Sequence, residues 1–92
     1  MRETKDRVER IEYMESIFDV LQEAAKDAPD KLKKDAKLQQ GLELLVDYYE
    51  NGQWLSDYES DERGELPTGL KRGVLSEDGV YNLLEEIRER GF

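Results

Sequence analysis

Apolar residues recur through the first third of the chain at alternating spacings of three and four: Ile11, Met14, Phe18, Leu21, Ala25 and Ala28. Val8, Ile17 and Ala24 widen the stripe. That pattern is one broad face of a long helix over residues 3–27, turned toward a core and with a coiled-coil flavour. Glu3 with Arg7, and Asp6 with Arg10, sit one turn apart in the favourable order and support its solvent side. Asp27-Ala28-Pro29-Asp30 interrupts the pattern. Proline disfavours helix at the residue before it and suits the first turn of the next one. Asp27 or Ala28 is therefore the expected N-cap of a second helix, which runs to about Glu50 on a seam of Leu38, Leu42, Leu45 and Tyr49. The short connection implies an antiparallel helix pair over residues 3–50.

Asn51-Gly52 ends the pair, since both residues tolerate the left-handed conformation that closes helices. Residues 53–63 are open between a short helix and an irregular turn. Gly64, Pro67, Gly69 and Gly73 then punctuate a compact stretch, so residues 51–75 read as an ordered loop. Trp54, Leu66 and Leu70 are single large apolar anchors among turn residues, which a flexible linker would lack. Ser76 is the expected N-cap of a third helix over 76–90, with Glu77 and Asp78 in its first turn. Leu75 and Val80 can form a hydrophobic staple, Leu83, Leu84 and Ile87 continue the buried face, and Gly91 ends the helix. The expected fold is all-α in a single domain over 1–92: a helix pair, a third C-terminal helix, and the ordered loop packed across them.

Composition sharpens this picture. The 92 residues are 37% apolar and 40% charged, so the core is thin and depends on regularly spaced positions or on a partner. The net charge of −9 is spread along the chain with no basic segment hidden within it. Direct binding to nucleic-acid phosphates is disfavoured, because that requires a concentrated positive surface. Cysteine is absent, which removes disulfides and thiol chemistry. No apolar run approaches the roughly 20 residues that span a bilayer, and the N-terminus leads into no signal-peptide apolar region. A cytoplasmic protein without membrane contact is the expectation.

Candidate chemistry is sparse. Asp57, Glu59 and Asp61 alternate like the start of a calcium loop, but the required sixth-position Gly and twelfth-position Glu are replaced by Glu62 and Thr68. With neither His nor Cys, the usual zinc ligands and the commonest general base are missing. No G-x-S-x-G nucleophile elbow occurs. No catalytic, cofactor-binding or metal-binding residue is expected. Gly69-Leu70-Lys71-Arg72-Gly73 precedes a helix start and could hold an anion. The competing reading pairs Lys71 and Arg72 with the acids of 57–65, since Glu77 and Asp78 already make that helix start negative. Lys31, Lys33, Lys34 and Lys37 read as a solvated face. Half the aromatic residues fall at Tyr48, Tyr49, Trp54 and Tyr58, either as core beneath the loop or as a partner hot spot. The candidate partner surface is Trp54, Asp57, Tyr58, Glu59, Asp61, Glu62, Lys71 and Arg72.

The chain resembles a bacterial family, domain of unknown function 4298. Arg10-Ile11-Glu12, Met14-Glu15, Tyr48-Tyr49, Trp54-Leu55 and Asp57-Tyr58-Glu59 carry the resemblance, together with Asp61-Glu62, Gly64, Leu66-Pro67, Leu70 through Asp78, Tyr81 and Leu83-Leu84-Glu85. Residues 26–37 look like a variable connector. The resemblance implies a small helical protein and brings no activity, cofactor or catalytic residue. The leading functional expectation is a non-catalytic protein–protein interaction module, acting on a protein partner or on itself as a homodimer. The alternative is an acidic decoy that occupies the nucleic-acid site of another protein. An enzyme using paired carboxylates stands third.

Overall fold

The computed structural model describes residues 2–89. Five helices follow in order: α1 Arg2–Asp27, α2 Lys31–Lys34, α3 Ala36–Glu50, α4 Gln53–Glu62 and α5 Gly79–Glu89. A single 3-10 turn at Gly73–Leu75 lies between α4 and α5. The fold is all-α. The helix α1 is its spine, and the apolar stripe read from the sequence is the stripe that is buried: Ile11, Met14, Phe18, Leu21 and Ala25. Leu45 and Tyr48 of α3, Val74 and Leu75 of the 3-10 turn, and Val80, Leu83 and Ile87 of α5 close over it. Leu38, Leu42 and Tyr49 pack at the margin. Ile17 stands beside Gly41, while Arg10 and Tyr48 reach the same carboxylate. Contacts therefore run in opposite chain directions, and α1 and α3 are antiparallel.

The expected second helix is split. Asp35 takes an extended conformation (φ −88°, ψ 113°), and its carboxylate accepts the Lys37 N–H at 2.9 Å. Asp35, rather than Asp27 or Ala28, thus caps the helix that matters. The four-residue α2 that precedes it starts without a side-chain cap and turns Leu32 into the core. Gly52 is left-handed (φ 94°) and swings the chain into α4. Most of residues 53–63 are therefore helix, and the expected loop over 51–75 contracts to the stretch beyond α4. Gly64 (φ 73°) closes α4, with Gly64 N–H on the Asp61 carbonyl at 2.9 Å and Glu65 N–H on the Ser60 carbonyl at 3.1 Å. That is the two-bond arrangement glycine makes possible at helix ends.

Ser76 does not cap α5. Its hydroxyl donates back to the Gly73 carbonyl at 2.8 Å and braces the 3-10 turn instead. Leu75 and Val80 are both buried, as a staple requires. The Gly91 stop lies outside the described residues. No helix among the described residues is long and apolar enough to cross a membrane.

Leu21 is fully buried in this core, whereas Leu42 lies at its edge. Leu21→Ala is expected to cost about 3 kcal/mol in urea unfolding, the usual loss for a buried leucine. Leu42→Ala should cost distinctly less. A loss below about 0.5 kcal/mol for Leu21 would mean that the stripe is not core.

Candidate functional site

The inner face of α4 is polar at its centre. Trp54, Asp57 and Ser60 follow one another at three-residue spacing and are all buried, while Leu55, Glu59 and Glu62 point outward. Asp57 is completely buried. An isolated carboxylate there would be prohibitively costly to desolvate. Two arginines from α1 and a tyrosine from α3 compensate it. Arg7 Nη1 donates to Asp57 Oδ1 at 2.7 Å, and Arg10 Nε donates to Oδ2 at 3.0 Å. Arg10 Nη2 adds a short bond to Oδ1. Tyr48 Oη donates to Oδ2 at 2.6 Å. The hydrogen bond to Asp57 raises the Arg10 pKa, against the opposing effect of burial. Burial, and then the bond to Asp57, push the Tyr48 phenol far above its ordinary value. Three helices thus meet on one carboxylate.

A second carboxylate works the same way a short distance along α1. Glu15 is buried and accepts the backbone N–H groups of Gly73 (2.7 Å) and Val74 (3.0 Å). From the other side, Trp54 Nε1 donates to the Val74 carbonyl at 2.7 Å. The 3-10 turn is gripped between α1 and α4. A Cβ at Gly73 would stand 2.8 Å from Glu15 Oε1, so a larger residue there would have to displace the carboxylate that holds the turn. Arg72 holds the preceding strand of loop. Its guanidinium pairs with Asp61 at 2.6 Å and donates to the carbonyls of Pro67 (2.6 Å) and Leu70 (2.9 Å). Trp54 stacks on Tyr58 (centroids 5.1 Å apart) and tilts against Tyr49 (5.0 Å). Among the described residues, no buried side-chain nitrogen or oxygen lacks a partner.

This geometry divides the expected partner surface. Trp54 and Asp57 are core and are withdrawn from it: one is clamped to Val74, the other neutralised by Arg7 and Arg10. Arg72 and Asp61 pair with each other, as the acid–base reading of this segment expects, and the pair holds the loop. Tyr58 is half-buried, and its pKa is raised chiefly by the negative charge of Glu62, then by burial and Glu77. Glu59, Glu62 and Lys71 remain exposed. The aromatic cluster is core at Tyr48 and Trp54 rather than a hot spot. Asp57 and Asp61 of the calcium-like run face arginines, and no group of three or more acids among the described residues is arranged to hold a metal.

Sequence reasoning missed three members of the site, Arg7, Arg10 and Glu15, and it placed Tyr48 in the aromatic cluster without its bond to Asp57. Arg7 and Arg10 are expected on the solvent side of α1, yet both reach inward across fifty or so residues of sequence to α4. A signal was present. Arg7 continues the three–four spacing of the apolar stripe at the position before Ile11, and Glu15 falls between the buried Met14 and Phe18. A charge on a buried arc needs an opposite partner.

A family model described as a domain of unknown function (DUF4298) matches residues 11–90, and the chain belongs to that family. No curated protein and no solved structure matches the chain.

Asp57→Asn leaves two partly buried arginines without their counter-charge. It should cost about 3 kcal/mol in urea unfolding, the lower end for breaking a buried pair. Asp61→Asn, at a half-exposed pair, should cost about 1 kcal/mol or less. Equal losses for the two would contradict the central role of Asp57. Alkali provides a separate check. The Tyr48 pKa is raised in the folded state, so the stability it lends is complete below about pH 10 and is lost as pH rises beyond that. Phenolate absorbance should show one tyrosine that ionises only as the protein unfolds, and Tyr48→Phe should abolish that component.

Proposed function

We propose that this DUF4298 protein is a non-catalytic protein–protein interaction module. The polar residues that looked most like a site hold the chain together, so the outward surfaces are left for function. The observation that supports the reading most directly is an apolar face across α1 and α3. Tyr13, Val20 and Leu44 are 57%, 52% and 43% exposed. Ile17, Val20, Leu38 and Gly41 line a shallow groove of about 180 Å³ between the two helices. Tyr13 lies one turn before Ile17, and Leu44 about one turn after Gly41, so they extend the same strip. Apolar patches of this kind on a small domain mark interaction sites.

A second copy of the chain suits this face. Lys37 stands at one end of the groove. The other end, around Tyr13 and Leu44, is bordered along the sequence by Glu9, Glu43 and Asp47. A two-fold, antiparallel docking sets the lysine end of one copy against the acidic end of the other. Sedimentation across a concentration series tests this. The wild type should dimerise, and Val20→Asp should be monomeric yet cooperatively folded, melting where the wild type melts when diluted to monomer, because that side chain is exposed. A wild type that stays monomeric at every concentration, in low and in high salt, would overturn self-association through this face. The acidic-decoy reading rests on the charge of −9 and implies capture of a basic protein, weakening steeply as salt is added.

A further inference from the structure

The opposite flank of α1 is open as well. A groove of about 460 Å³ runs between α1 and the segment 67–71. Val8, Pro67 and Leu70 supply its apolar surface, and Glu12, Asp19 and Lys71 stand along it. Past Asp19 it continues into a wider hollow of about 710 Å³ between α1 and α5, where Glu23, Asp27 and Glu86 are added against Lys26. Glu12, Asp19 and Glu23 are spaced by seven and four residues, so their side chains follow one line along the helix. Among the described residues, no ion pair engages Glu12, Asp19 or Glu23.

The groove is also preformed. Arg72 holds the carbonyls of Pro67 and Leu70 in place, and Glu15 at its base fixes Gly73 and Val74 to α1. A rigid wall lowers the ordering cost that binding must overcome. We propose that this groove docks an amphipathic segment of a partner protein that carries lysine or arginine, its apolar residues resting on Val8 and Leu70 and its cations on Glu12 and Asp19. Charge complementarity selects a basic occupant over a nucleic acid, whose phosphates the acids repel. The apolar surface selects a segment with apolar residues over a simple polycation. Lys71 on the far wall opposes a cation on that side and so sets which way round the segment lies.

The probe is a fluorescein-labelled helical peptide of leucine and lysine at amphipathic spacing. The control peptide has the same charge with alanine in place of leucine. Fluorescence anisotropy at moderate salt reads affinity, and nitrogen-15 amide shifts map the contact. The leucine peptide should bind well above the control and shift the amides of Val8, Glu12, Glu15 and Asp19 and of 67–71. Glu12→Lys combined with Asp19→Lys should weaken it at least tenfold or so and flatten its salt dependence, since each change reverses an exposed charge. Those exposed positions keep the fold intact if Leu70→Ser, expected to weaken binding similarly, proves unstable. Val20→Asp, on the other flank of α1, should bind as the wild type does. Equal binding of the two peptides would overturn the proposal, because net charge alone would then be the attraction. Shifts centred on Ile17, Val20 and Gly41 would overturn it too, by placing the peptide on the α1–α3 face.

Discussion

A carboxylate without access to water must be compensated by whatever the fold brings to it. Asp57 is such a group, and three helices commit four residues to the arrangement: Arg7 and Arg10 from α1, Tyr48 from α3, and Asp57 itself from α4. The net stability of a buried pair is modest, because desolvation offsets much of the attraction. Its selectivity is larger. A shift of α4 along α1 by one turn would leave a charge buried and unpaired, which costs several kcal/mol. Arginine suits the task because its planar fork meets both oxygens of a carboxylate at fixed angles. The network therefore acts as a register pin for helices whose apolar faces alone could slide.

The pin explains how a thin core holds an ordered segment as long as 63–78. With apolar residues at 37% of the chain, packing by itself gives little margin. Glu15 and Trp54 grip the turn at Gly73–Leu75 from opposite sides, which drives Val74 and Leu75 into the core. Arg72 ties the approach to that turn back onto α4 through Asp61. The Glu15 and Trp54 contacts give partners to the N–H groups of Gly73 and Val74 and to the Val74 carbonyl, which no regular helix bond serves. The two open flanks of α1 are what remains once these groups are committed, and they differ in character: apolar toward α3, acid-lined toward the 67–71 segment.

The sequence showed the apolar stripes of α1, α3 and α5 plainly, because a period near 3.6 survives in each. It concealed the break at Asp35, since an aspartate among lysines reads equally well as a solvated residue. It left α4 undecided for a related reason: the inward face of that helix is Trp54, Asp57 and Ser60, and two of those three look like surface residues. Asp57 could not be read as buried in isolation, because its charged partners, Arg7 and Arg10, lie about fifty residues away. The residues that carry the family resemblance include Arg10, Glu15, Tyr48, Trp54, Asp57, Asp61, Arg72, Gly73 and Val74. Nearly all of the conspicuous ones are spent on the lock. The segment that looked like a recognition signature is chiefly the fold holding itself together.

Amide hydrogen exchange of Gly73 and Val74 tests that conclusion most directly. Neither N–H is held by a regular helix bond; both are held by the Glu15 carboxylate. If the lock is integral to the fold, these two amides exchange only through global unfolding, as slowly as the core amides of α1 around Phe18 and Leu21. Exchange near the rate of an unstructured peptide, while α1 stays protected, would show that the segment opens on its own and that the carboxylates do not pin it.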